Sequence, residues 1–479
     1  MYSTARGDVW SFRSVSALLA YGVTTSLVAC GAAAQDNARP LRPPEPCSAS
    51  ETLASTWTIQ GFPKDLDTTG LQLCVNYTAE ALANLKGGVR TGPIYEGKLE
   101  GIVHADLHTL VGWPGATIHA NFLQIHGRGL SRYYLSNLLT VSGIEALPST
   151  RLQEVWLEQE IGTWASIRIG QMAVDSEFLT SSYAGLFVNA TFGWPAITAA
   201  ALPSGGPAYP LSAPGARIKV KSPDTPLTLL LAVFNGDPAG PGDADPQRLN
   251  RRGTNFRLDD PPLYIGEAQY TYNSDNGARS LPGTLKVGTW YHTAQFNDLR
   301  FDAGGFPLAD PESLGQPARH RGNQGVYGVL DQTLWRDRSG GSSGEYSGPE
   351  VGMFTRLSFS PADRSLINFY ADAGLSFKGL VPTRKDDVFG IAFGYGSISS
   401  RARGFDRDTA FFSRAPTVIR DYEAVLEMTY QLQLANGWFL QPDFQYIFHP
   451  GGHVPDPKTN PVRALRDEAV AGIRMIATY

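Results

Sequence analysis

The chain has little of what usually directs a functional reading. Beyond its N-terminal stretch it has no apolar run near the ~20 residues a membrane helix needs. It has no long Gly/Ser or Pro-rich tract, no charge block and no low-complexity segment, so nothing divides its 479 residues into separate domains. A net charge of -5 is small for this length and removes the electrostatic case for a nucleic-acid partner. There is no Gly-x-Ser-x-Gly, and none of the 8 histidines sits in a recognisable catalytic motif. The usual nucleophile–base–orienter sets are therefore missing, and no enzyme activity and no cofactor are expected.

Lysine is sparse, whereas 51 glycines and 11% aromatics suit many strands and tight turns better than helices. The N-terminus reads as an export signal over residues 1–34. Arg6 and Arg13 precede "SVSALLAYGVTTSLVA", an uncharged stretch shorter than a ~20-residue span, and "AAAQ" offers cleavage after Ala34. "LVAC" competes as a lipobox that would leave an acylated Cys30. Residues 35–69, with "RPLRPPEP", read as an irregular periplasmic leader. After export Cys47 and Cys74 remain, either as a bridge that an oxidising compartment permits or as two free thiols.

An integral membrane protein without an apolar helix must be a closed β-barrel. The clearest segment is "YEAVLEMTYQLQL": Tyr422, Ala424, Leu426, Met428, Tyr430, Leu432 and Leu434 share one face, and Glu423, Glu427, Thr429, Gln431 and Gln433 the other, with Val425 as an exception. "ANGW" then gives an Asn-Gly hairpin signal, and "WFLQPDFQYIFH" repeats the alternation. Ten residues at ~3.3 Å, tilted ~45°, rise about 23 Å, close to the ~25 Å apolar band of outer-membrane barrels. Aromatics cap both ends of the apolar face, and connections alternate short and long.

The fold class expected is all-β: a transmembrane antiparallel barrel of about 16 strands over residues 70–479. The strands fall near 71–83, 94–106, 116–126, 150–160, 163–173, 215–221, 227–235, 263–272, 284–293, 325–335, 350–359, 366–377, 387–396, 421–434, 438–448 and 468–479. Long segments near 174–213, 236–262, 294–323, 397–420 and 449–466 are expected at one end. "RDRSGGSSGEYSG" is long for the other end and "SPADRS" is short for the long-loop end, which puts a strand in question there. The chain closes on "GIRMIATY", a strand whose Tyr479, Ala477, Met475, Ile473 and Ala471 form the lipid face, leaving Arg474 to the pore. Tyr479 resembles the terminal aromatic address read by barrel-assembly machinery.

"HGRGLSRYYLSNL", "GIEALPSTRLQEVWLEQ", "GQMAVDSEFL", "GLFVNATFGWP", "VFNGDPAG" and "QPDFQYIFHPGG" resemble the OprB family of carbohydrate-selective porins, in the family's order. The resemblance implies a sixteen-stranded outer-membrane barrel of a Gram-negative bacterium. It admits monosaccharides such as glucose by passive diffusion, with a loop folded into the pore.

A sugar presents hydroxyls all round and flat C–H faces, so a selective lumen needs charged hydrogen-bonding groups and an aromatic surface, held at weak affinity. The polar strand faces offer Arg217, Lys219 and Lys221; Glu267; Lys286 and Trp290; Glu423 and Glu427; Asp443; and Arg474. Taken singly each reads first as a solvated wall residue; the set carries the expectation. In "EVWLE", Trp156 lies between Glu154 and Glu158, placed either to stack on a sugar or to sit in the interfacial girdle, and Arg168 points inward on "SIRIG". The stretch "DSEFLTSSYAGLFVNATFGWP" matches the constriction, with Asp175 and Glu177 charging the eyelet and Phe187, Phe192 and Trp194 packing the loop to the wall.

No metal is expected. His104 and His108 of "HADLH" would lie ~13 Å apart on a strand, and "HPGGH" lacks a third ligand in sequence. The partners expected are carbohydrate solutes, outer-membrane lipid and assembly machinery, with a homo-oligomer left open. The competing readings are a general diffusion porin, an outer-membrane barrel enzyme, or a secreted sugar-binding β-protein.

Overall fold

The structure, a computed structural model, describes residues 69–274, 281–337, 348–459 and 462–478. The export signal, the leader, Cys30, Cys47 and Tyr479 lie outside the described residues. Cys74 is buried on the first strand and is disulfide-bonded.

Sixteen strands close into one antiparallel barrel in which each pairs with its sequence neighbours. They are β1 Leu71–Lys86, β2 Gly92–Asp106, β3 Ala116–Gly127, β4 Ser149–Ile161, β5 Ala165–Met172, β6 Ala213–Lys221, β7 Leu227–Phe234 and β8 Leu263–Tyr272. The second half comprises β9 Gly283–Asp302, β10 Pro317–Arg336, β11 Glu350–Phe359, β12 Ile367–Lys378, β13 Val388–Ile398, β14 Tyr422–Ala435, β15 Trp438–Phe448 and β16 Glu468–Thr478. The seam pairs β1 with β16, Glu80 opposite Arg474 and Ala83 opposite Ala471. Both segments beside the awkward connections are strands, β10–β11 and β11–β12, so the expected count stands.

One expectation is corrected. Residues 294–323 are not an outer loop: β9 and β10 run on as a hairpin of 20 residues per strand, leaving only 303–316 between them. About ten residues suffice to span the apolar band, so the rest projects beyond it. Above the membrane no lipid selects an apolar side, and "AQFNDLRFD" accordingly loses the alternation that marks the lower half. Arg300 on this extension holds Asp408 at 2.7 and 2.9 Å, tying it to the helix Ser400–Ser413.

Period-two alternation sorts the two faces. Ile169, Ile218, Leu231, Val287, Val326, Phe393 and Ile473 are exposed on the outside, the apolar surface a membrane barrel presents. The inner face carries the charges, but it is not uniformly polar. Phe354, Tyr370, Val425, Ile447 and Val470 are fully buried inside the barrel. They pack against Leu135, Leu139, Phe187 and Phe192 from the β3–β4 and β5–β6 connections. The barrel thus has an internal core, made where long connections fold back against the wall.

The register supplies a test. In protein with native cysteines replaced by serine, Ala83→Cys with Ala471→Cys should cross-link under mild oxidation, giving an altered band on a non-reducing gel. Leu82→Cys with Ala471→Cys should not, because a one-residue shift points the side chains to opposite faces.

Candidate functional site

A segment folded into a barrel takes its backbone N–H groups away from bulk water, and each must find an acceptor. The β5–β6 connection, residues 173–212, does this with carboxylates from the wall. Ala173 N–H donates to Glu154 at 2.7 Å, Leu179 N–H to Glu267 at 2.9 Å and Ser182 N–H to Asp331 at 2.9 Å. Val188 and Asn189 donate to the two oxygens of Glu427 at 2.6 and 3.0 Å. Carbonyls are held by cations: Lys286 Nζ lies 2.7 Å from Thr180 O, and Arg356 reaches Leu179, Thr191 and Gly193 at 3.2, 3.0 and 3.1 Å. The loop is therefore anchored in turn to β4, β8, β10, β11 and β14. Bonds of this charge-assisted kind are roughly twice as strong as neutral ones.

The β3–β4 connection, residues 128–148, enters by the same device. Glu423 accepts from Leu138 and Leu139 at 2.8 and 2.6 Å and from Gly451 at 2.5 Å. The two inward segments are then stitched together, Ala190 N–H to Thr140 O at 2.9 Å and Gly143 N–H to Val188 O at 2.8 Å. With residues 245–247 they enclose a cavity of about 290 Å3 at the long-loop end, lined among others by Trp194, Tyr209 and Gln247.

On the opposite wall, pairing of β5 with β6 sets Arg168 directly across from Arg217. Like charges in that position repel. Two carboxylates resolve the conflict. Glu158 of β4 binds Arg168 at 2.7 Å and Arg217 at 2.9 Å. Glu177, carried in by the loop, binds Arg217 at 2.8 Å and Arg168 at 3.4 Å. Ser166 takes a further Arg217 N–H at 2.7 Å. The result is an alternating grid of two cations and two anions, with the loop supplying one corner.

A stack of rings braces this grid. The Arg168 guanidinium lies 3.7 Å over the Trp156 ring. His119 stacks on Trp156 at 4.6 Å and 13°, and His104 follows His119 at 4.6 Å. The order is that of the strands: register pairs His104 with His119 and His119 with Trp156. Trp156 is thus buried between Arg168 and His119, packed with Met172, Val174 and Phe178. His104 is partnered by His119 across the strand, while His108 lies on the short helix Leu107–Val111.

The other singled-out residues divide by location. Lys219 and Lys221 lie half-buried on β6 without an ion pair among the described residues. Trp290 is buried beneath the loop with Phe178 and Leu179. Asp443 accepts from Gln445 at 2.9 Å, and Arg474 donates to Glu80 at 2.7 Å. Asp175 accepts the Tyr209 N–H at 3.1 Å inside the loop, and burial pushes its carboxyl up to about 6. Phe187 and Phe192 pack on Phe354 at 5.7 and 6.0 Å, while Trp194 Nε1 donates to Gly205 O at 3.1 Å. Sequence reasoning missed Arg356 with Asp372, Asp331 and His119. Arg356 and Asp372 are opposite in register and both fully buried, opposite charges in the middle of adjacent strands, which was the available signal.

Two expectations follow. Glu427→Ala orphans two buried donors, each worth ~1–3 kcal/mol, and should loosen the loop. Single-channel recording should show higher and noisier conductance with the barrel still folded. Asp175 has its pKa raised from 3.8 to about 6. Its contribution to stability is therefore fully present below the unfolded value and is lost as pH rises through about 6. Denaturation across that window should show a decline that Asp175→Asn flattens.

Residues 90–479 match the family described as carbohydrate-selective porin, OprB family. Porin B of Pseudomonas aeruginosa is 23% identical over 441 residues, 86% of this chain and 88% of that protein. The high-pH structure of OprB from Pseudomonas putida superposes with a TM-score of 0.74 at 19% identity, covering 88% of this chain and 96% of that one. The low-pH structure of the same protein gives 0.50 at 14% identity, covering 86% and 94%. With the family matched over most of its length and a closed sixteen-strand barrel to carry it, the chain belongs to the OprB family of carbohydrate-selective porins.

Proposed function

We propose that this carbohydrate porin is a passive, monosaccharide-sized channel in the Gram-negative outer membrane, delivered there by its N-terminal signal. The observation that carries the reading is the grid of Arg168, Arg217, Glu158 and Glu177, in which an inward loop is locked to the wall by four charges. Glu158 and Glu177 keep 16 and 17% of their side chains exposed over the buried guanidiniums, so fixed carboxylate oxygens accept from a solute's hydroxyls and disfavour an anion. Half-buried Lys98 and Glu100, 3.5 Å apart, extend the same mixed-sign surface along β2. No driven step is needed: weak contacts in series let a neutral solute enter and leave. The outward Ile, Leu, Val and Phe surface is the part proposed to meet lipid, and Tyr479 the residue proposed to address the chain to assembly machinery.

Liposome swelling tests the reading. Rapid swelling in glucose, with slow entry of larger or charged solutes, is expected; equal permeation by ions and sugars would reduce the protein to a general diffusion porin. Arg168→Ala should raise ion conductance and weaken sugar block of the ion current several-fold. Unchanged block would remove the grid from the solute path.

A further inference from the structure

Outside the pore, three side chains with metal-binding chemistry meet at the long-loop rim. Sequence spacing gave "HPGGH" no third ligand; the fold supplies one, Asp421, from the residue before β14. Ligand atoms of Asp421, His449 and His453 all lie within 4.8 Å of one another. We propose that these residues form a binding site for a borderline transition-metal cation such as zinc, clamping the β13–β14 connection to the β15–β16 connection.

The arrangement is built by the backbone. His449, Gly451, Gly452 and His453 all have positive φ, at 49, 70, 75 and 74°. This coil returns the fifth residue of the motif over the first, so that the two imidazoles stack 4.1 Å apart at 10°. Glycine adopts that conformation freely; a histidine does so only under constraint from its surroundings. The constraint is visible: Gly452 and His453 N–H groups both donate to His449 O at 2.9 Å, and Asp421 N–H donates to Gly452 O at 3.0 Å.

Side-chain orientation is equally fixed. His449 Nδ1 lies 3.0 Å from one Asp421 oxygen, and His453 Nδ1 lies 3.7 Å from the other. The Tyr422 ring covers His449 at 4.3 Å, and the Asp421 carboxylate is oriented by the Tyr422 N–H at 2.6 Å. Contacts of this outer kind hold metal ligands in place.

Two imidazoles and one carboxylate suit zinc, nickel or copper rather than magnesium or calcium, which prefer oxygen donors throughout. Three protein ligands leave a position for water. Tetrahedral zinc with bonds of ~2.0–2.1 Å wants its ligands roughly 3.4 Å apart, a contraction that small side-chain rotations provide. The three side chains are 26, 33 and 39% exposed, so an ion can enter from solution.

Untagged, EDTA-treated full-length protein folded in detergent should bind one equivalent of zinc by calorimetry at neutral pH. His449→Gln, His453→Gln and Asp421→Asn should each weaken that binding by about tenfold or more. Heat-modifiable gel migration confirms that each variant retains the barrel. Cobalt should give the intense visible absorption of a tetrahedral site in the parent and lose it in His453→Gln. Failure of zinc to bind at up to millimolar concentration, or unchanged affinity in folded His449→Gln and His453→Gln, would overturn the proposal.

Discussion

The buried backbone amide of an inward-folded segment is the constraint on which the site depends. Water is largely excluded where the β3–β4 and β5–β6 connections press against the wall, so their N–H groups need acceptors of protein origin. Glu154, Glu267, Asp331, Glu423 and Glu427 supply them from four separate strands. Acids that alternate neatly along a strand look like a surface for solutes, yet these hold an inward loop. Only once that loop is fixed can Glu177 reach Arg217 and Arg168 and relieve their mutual repulsion. The grid of Arg168, Arg217, Glu158 and Glu177 and the anchoring of the inward loop are one electrostatic system.

Membrane barrels advertise their strands well, and this one was legible nearly to the residue along most of the wall. Lipid imposes one chemistry on every outward position, and turns such as "ANG" and "SPDTP" punctuate the runs. Legibility failed where lipid stops acting. The upper halves of β9 and β10 have no apolar side to display, and so they read as loop.

The site was harder to read, for a related reason. A sequence states that Glu427 faces inward; it does not state that a loop more than two hundred residues earlier will meet it. The exceptions to alternation held the missing information. Val425 breaks the polar face of β14 between Glu423 and Glu427, and Val470 breaks that of β16; both are fully buried against the inward segments. Phe354 next to Arg356 has the same meaning, an apolar contact beside a charged clip. An apolar residue on the lumen face of a porin strand marks where something packs inside.

The row of anchors from β4 to β14 has a mechanical consequence as well. An empty hoop of strands resists squeezing only through the stiffness of its hydrogen-bonded wall, and lateral pressure in a bilayer acts on that wall from all sides. Here one inward loop is bonded in turn to β4, β8, β11 and β14 at Glu154, Glu267, Arg356 and Glu427, a brace laid along the inside of that wall. Bending that part of the wall would have to break charged bonds shielded from water.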